Sequence, residues 1–188
     1  MGFGIDREEA FALVKEHIHN QNLVYHSLAS EAVLRAMAVR LGQDQEKWGL
    51  AGLLHDLDAE LEPDLTTHTT RTVTILKEKG VDPEIIEAIR LHCIEAWPGE
   101  ARTTPLHHAV AAGETITGLI IASALVRPDK KLGSVKAKSI TKRYKEKAFA
   151  RGANREIIAE CEAAGIPLAE FCELSLAAMQ EIADQIGV

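Results

Sequence analysis

The 188 residues predict an all-α fold, and three observations carry that expectation. Apolar residues recur at helical spacing along most of the chain. Residues suited to helix caps and stops punctuate those stretches. Alternating Val, Ile and Thr runs bounded by turns, the mark of strands, do not occur. With 46% hydrophobic residues the chain can bury a core of its own.

Asp6, followed by Glu9, has the form of a capping box and opens a helix whose Ala10, Leu13, Val14, His17 and Ile18 share a stripe. His17 and His19 have nothing nearby to complete a site and read as ordinary helix-end residues. A second helix is expected from about Asn22 to Leu41, stopped by Gly42, with His26 on the face of Ala29, Ser30, Val33 and Met37. A third, about Gln45 to His55, puts Trp48, Ala51 and Gly52 on the face of His55. Gly49 and Gly52 weaken it by roughly 1 kcal/mol each relative to Ala, which close packing of a neighbour would offset.

Thr66 or Thr67 is expected to cap a helix carrying His68, Thr72, Ile75, Leu76 and Lys79 on one side and ending at Gly80. Asp82 and Pro83 are a cap and a first-turn proline for the next, with the stripe Ile85, Ala88, Ile89 and His92. After the turn Trp97-Pro98-Gly99, Thr104-Pro105 starts the longest helix, to about Val126, with Glu114 beside Val110, Thr117, Gly118 and Ile121. Gly133-Ser134 then starts a basic helix, and Asn154 caps another ending at Gly165. Pro167 opens a last amphipathic helix with Leu168, Phe171, Leu174, Ala178 and Ile182.

Charge is segregated. From Arg127 to Arg155 eleven Lys or Arg face two acids, a net +9; with −7 overall, the rest of the chain carries −16. Such a block suits a solvated face, an anion-binding wall or a nucleic-acid patch. The acidic balance and the lack of a recognition motif argue against nucleic acid as partner. Three cysteines without CxxC spacing suggest neither a disulfide framework nor a zinc knuckle. No basic leader is evident and no run approaches a membrane span, so a cytoplasmic protein without membrane association is expected.

The chemistry lies in His26, His55-Asp56, His68, His92 and Glu114, each expected on the inward face of its own helix. A carboxylate in an apolar core costs several kcal/mol unless paired or bound to metal. The inward partners for Asp56 and Glu114 are histidines, and neutral imidazole is a ligand for divalent transition metals. A bundle core can hold metal between such facing helices.

In order and type these residues resemble the HD superfamily of metal-dependent phosphohydrolases, especially its small HDIG-type members. The resemblance covers about Asn22 to Arg127, and residues 119–149 also resemble the extension of that subgroup. It implies an HD-domain helical bundle forming a single domain over 1–188, with a metal-binding core at about 22–127 and a basic helical extension at 128–188. It implies that His26, His55, Asp56 and Glu114 bind one divalent metal (Mn, Mg, Fe, Ni, Co or Zn), and that His68 and His92 hold a second, with Asp56 as the catalytic bridge that positions the attacking water. Two departures stand out. Glu114 replaces the family's usual Asp, and the HDIG tetrapeptide reads His55-Asp56-Leu57-Asp58. Asp58 and Glu60 are read as a solvated loop in preference to acceptors for a ligand histidine.

The expected activity is hydrolysis of a small-molecule phosphoester, such as a nucleotide or cyclic nucleotide. Arg71, Lys142 and Arg143 are the candidates for substrate phosphate, with Lys136, Lys138, Lys145 and Lys147 as further basic residues. Two alternatives share the fold: a di-iron oxygenase of HD type, and a metal- or nucleotide-binding sensor with little turnover.

Overall fold

The computed structural model describes residues 2–188, and among them every regular element is helical. The α-helices are α1 (Arg7–His17), α2 (Gln21–Leu41), α3 (Gln45–Leu54), α4 (Thr70–Glu78), α5 (Pro83–His92) and α6 (Pro105–Leu125). The extension adds α7 (Ala137–Lys145), α8 (Arg155–Ala159), α9 (Cys161–Ala164) and α10 (Leu168–Glu181). The long helices α2 and α6 pack against each other at the centre; α3 packs on α2, α5 packs on α6 and on α3, and α10 closes over α2.

Two glycines set how closely the central helices meet. A Cβ on Gly52 of α3 would lie 2.7 Å from the Ser30 carbonyl oxygen of α2, and one on Gly113 of α6 would collide with Leu34. Only glycine permits the first approach, which is to backbone; at the second the Leu34 side chain would have to shift. They draw the end of α3, and the residue preceding Glu114, onto the helix that bears His26.

The predicted helices recur with four differences. First, α3 stops at Leu54, so His55 is its C-cap residue and Asp56 lies in the following turns. Second, α4 begins at Thr70, leaving His68 on the turn before it, and neither Thr66 nor Thr67 is its cap. The capping carboxylate comes from a distance: Asp58 accepts from the amides of Thr69, Arg71 and Thr72 at 3.3, 3.1 and 3.0 Å. This satisfies α4's first-turn donors better than a local threonine, and Thr66 and Thr67 instead bond to Asp64 and Glu62. Third, Gly133 and Ser134 form a 3₁₀ turn, and the basic helix starts at Ala137. Fourth, the stretch from Asn154 to Gly165 breaks at Glu160 into α8 and α9, where the Glu160 side chain is tied to the core.

Contrary to the expectation that no run approaches a membrane span, α6 is long and apolar enough to cross one by length and composition alone. Its apolar surface is used otherwise: most of it is buried against α2, α5 and the extension.

Candidate metal centre

All six residues singled out from the sequence meet beside the α2/α6 pair. His26 comes from α2, His92 from the last turn of α5 and Glu114 from the middle of α6. His55, Asp56 and His68 come from the turns between α3 and α4. Asp56 stands at the centre. Its carboxylate oxygens lie 3.0 Å from His68 Nε2, 3.7 Å from His55 and His92 Nε2, and 3.8 Å from His26 Nε2. Two histidine pairs flank it, with His26 Nε2 3.1 Å from His55 Nε2 and His68 Nε2 3.2 Å from His92 Nε2. Glu114 Oε2 lies 3.7 Å from His26 Nε2, on the first pair's side.

The outer ring nitrogens decide which way the lone pairs point. His55 Nδ1 donates to the Gly52 carbonyl at 2.8 Å and His92 Nδ1 to the Ile89 carbonyl at 2.7 Å; a carbonyl only accepts, so both protons sit on Nδ1. Thr117 spends its hydroxyl proton on the Glu114 carbonyl, which makes it the acceptor for His26 Nδ1 at 2.9 Å. In the neutral rings, Nε2 therefore turns a lone pair into the site. Burial, and then His55, lower the pKa of His26 to about 4 and of His92 to about 3, which keeps both rings neutral as metal ligation requires.

With both Nδ1 atoms donating outward, two Nε2 atoms 3.1 Å apart need a proton or a metal cation between them. Two donors about 2.1 Å from one transition ion, at angles near tetrahedral or octahedral, lie about 3.0–3.4 Å from each other. Two donor sets could hold a metal: His26, His55 and Asp56, and Asp56, His68 and His92. Asp56 belongs to both.

The second set has additional support. Asp58, fully buried, places Oδ1 3.0 Å from His68 Nδ1. The reading of Asp58 as part of a solvated loop is therefore wrong: it is buried, caps α4 and lies in ion-pair contact with His68. Its i+2 spacing from Asp56 held the only clue in the sequence. Glu60 is exposed and accepts from the amides of His19 and Asn20, joining the turn to the α1–α2 loop. Burial opposes charge on His68, but the contacts with Asp56 and Asp58 outweigh it and push its pKa up to about 10. Burial raises Glu114 to about 8, a shift that a neighbouring cation reverses.

Thr69 adjoins His68 with φ +72, a left-handed conformation costing a β-branched residue about 1–3 kcal/mol. Its hydroxyl accepts from Trp97 Nε1 at 2.8 Å and its amide donates to Asp58, so the turn is fixed from both sides. Arg102 was not anticipated. It donates to the Leu91 and His92 carbonyls and forms a two-pronged pair with Glu160, which also receives His108 Nδ1 at 2.7 Å. The extension is thereby fastened to the backbone of His92.

The centre opens into a cavity of about 780 Å³, whose outer side is formed by residues 147 and 151–157 of the extension. Arg71, Lys142 and Arg143 do not line it. Arg71 is exposed and contributes its backbone amide to Asp58; Lys142 projects into solvent; Arg143 pairs with Glu146 at 2.7 Å and stacks on Phe149. Lysines 136, 138 and 145 also lie elsewhere, whereas Lys147 and Arg151 are on the cavity's edge. Cys93 lines it too, but burial pushes its thiol up to about 11, leaving it protonated.

A family model described as HD domain matches residues 23–125, the span that contains all six residues. The chain belongs to the HD domain family. Among curated proteins it is similar to Ribonuclease Y 2 of Levilactobacillus brevis, 33% identical over 101 residues, 53% of this chain and 18% of that protein. Ribonuclease Y of Nitratidesulfovibrio vulgaris is 34% identical over 100 residues, 53% of this chain and 18% of the relative. That of Thermotoga maritima is 30% identical over 143 residues, 74% and 27% respectively. The chain thus spans less than a third of the length of these relatives. No solved structure gives a significant match.

Proposed function

We propose that the protein is a metal-dependent phosphohydrolase that cleaves a phosphoester at the Asp56 centre, the substrate being a nucleotide or another nucleotide-like phosphodiester. The observation that carries this reading is Asp56 between two histidine pairs whose Nε2 atoms converge on it. His26, His55, Asp56 and Glu114 would hold one divalent ion, and Asp56, His68 and His92 a second. Bound there, such ions supply Lewis acidity for a phosphoryl oxygen and a nucleophile at neutral pH. The chain's own residues do the rest. The carbonyls of Gly52 and Ile89, with Thr117 and Asp58, orient the four imidazoles. Asp56 is the single carboxylate common to both halves and holds them in register. Burial of His55, Asp56 and His92 keeps bulk water away from the donors. Similarity to proteins named Ribonuclease Y supports a nucleotide phosphodiester over other phosphoesters.

The test is turnover of bis(p-nitrophenyl) phosphate and 3′,5′-cyclic AMP by protein reconstituted separately with Mn²⁺, Mg²⁺ and Fe²⁺, with and without dioxygen. Metal-dependent cleavage that is indifferent to dioxygen and lost in Asp56→Asn is expected. Dioxygen consumption with iron would point to the oxygenase chemistry, and nucleotide binding without product to a sensor; either result contradicts the proposal.

A further inference from the structure

We infer that the loop between α7 and α8 carries a second phosphate-binding position, formed by Lys147 and Arg151, so that the cavity selects substrates bearing two phosphate groups. The inference rests on the phosphohydrolase reading and names its substrate class.

The loop, residues 146–154, is wound around the guanidinium of Arg155. That side chain donates to the carbonyls of Arg143, Tyr144, Glu146, Phe149, Ala150 and Ala153. So dense a set of bonds fixes a loop that has no regular structure, and it holds Ala150 at φ +46, which an L-residue rarely adopts unaided. The charge of Arg155 is thereby consumed inside the loop, as that of Arg143 is by Glu146 and Phe149.

Lys147 and Arg151 are left. Both are exposed, both line the cavity that ends on the His/Asp centre, and neither pairs with a carboxylate among the described residues. Two free cations, four residues apart on a fixed loop, present a point charge and a planar fork, the two donor types that bind phosphate. Arg155 also lines this space, but its guanidinium is spent on backbone carbonyls, and the carboxylates of Asp56, Glu95, Glu114 and Glu156 line the rest. An anion is therefore attracted at two places only, the metal-loaded centre and the Lys147/Arg151 edge, with carboxylates disfavouring it elsewhere. A volume of about 780 Å³ exceeds what one phosphate group needs and lies within the range of sites for nucleotide-sized ligands. Among the basic residues of the extension, the turn after α7 brings Lys147 and Arg151, and not Lys142 or Arg143, to the cavity.

The experiment is calorimetric titration of manganese-loaded protein with adenosine 5′-monophosphate and adenosine 3′,5′-bisphosphate. Wild type should bind the bisphosphate roughly 10- to 100-fold more tightly, and the margin should shrink as salt rises. The variant K147Q/R151Q should lose that margin while its manganese content and its affinity for the monophosphate stay within about two-fold, because it removes charge–phosphate contacts alone. K142Q/R143Q, with the same loss of charge outside the cavity, should keep the margin. No margin in wild type, or an undiminished one in K147Q/R151Q, overturns the inference and leaves the phosphohydrolase reading standing. Failure of either nucleotide to bind the loaded wild type overturns both.

Discussion

The two histidine pairs beside Asp56 are alike in chemistry and unlike in construction. His26 and His55 belong to the bundle: one sits on α2, the other ends α3, and the Gly52–Ser30 approach holds the two helices together. Their positions follow from the same apolar packing that makes the fold. His68 instead hangs on a turn, held by the buried carboxylate of Asp58, the left-handed Thr69 and the Trp97 hydrogen bond. A pair built on packing tolerates change at polar neighbours, whereas a pair built on a polar turn depends on each of them.

The sharpest way to separate the halves is to remove one imidazole from each. His68→Ala should reduce bound metal from two ions to one per chain while the helical circular dichroism spectrum persists. His55→Ala should empty the first position and cost phosphodiester cleavage at least about 100-fold, beyond the 10- to 100-fold typical of partners behind a ligand. Equal losses from both variants, measured by elemental analysis after dialysis, would erase the distinction between the pairs.

Asp58→Ala asks a finer question, since it touches no proposed metal. Affinity at the second position should fall about 10- to 100-fold with the first unchanged. The loss of three amide partners at the start of α4 should lower stability by about 1–2 kcal/mol in a denaturant melt. Unchanged affinity at both positions would make Asp58 a helix cap and nothing more.

The smallest effect concerns how the extension is fastened. Burial opposes charge on Glu160, but Arg102 and His108 outweigh it and hold its carboxyl below the usual glutamate value of 4.5. A depressed carboxyl stabilises the fold above its unfolded pKa, and that contribution is lost as pH falls through the lower, folded value. Hydrogen exchange in α8 and α9 should therefore accelerate below about pH 4.5 before exchange in α2 does. Arg102→Gln should flatten this dependence; an unaltered profile would show that the clamp does not hold the extension.

Much of this was legible in the sequence because apolar periodicity and capping report packing directly. The helices carrying His26, His92 and Glu114 could be drawn from Val33, Ile89 and Val110 and their neighbours, and the six-residue order pointed to one centre. What escaped depends on contacts between distant residues. Asp58 looked solvated because nothing local reveals that α4 takes its cap from fourteen residues upstream of Thr72. Thr66 and Thr67 are good caps and so point to a helix through His68, and no local rule foresees a left-handed Thr69. Arg102, Glu160 and the Arg155 knot are long-range or irregular, with no period to reveal them. The basic segment was visible as charge, but which cations face the cavity is set by the turn after Lys145.

The central claim is that Asp56 joins two metal positions, and manganese titration followed by electron paramagnetic resonance tests it most directly. Metal-free protein titrated with Mn²⁺ should saturate at two ions per chain and develop an exchange-coupled spectrum, because ions sharing a carboxylate sit roughly 3.5–4 Å apart. Asp56→Asn should abolish the coupled signal. Saturation at one ion, or two ions that remain magnetically independent, would contradict the account.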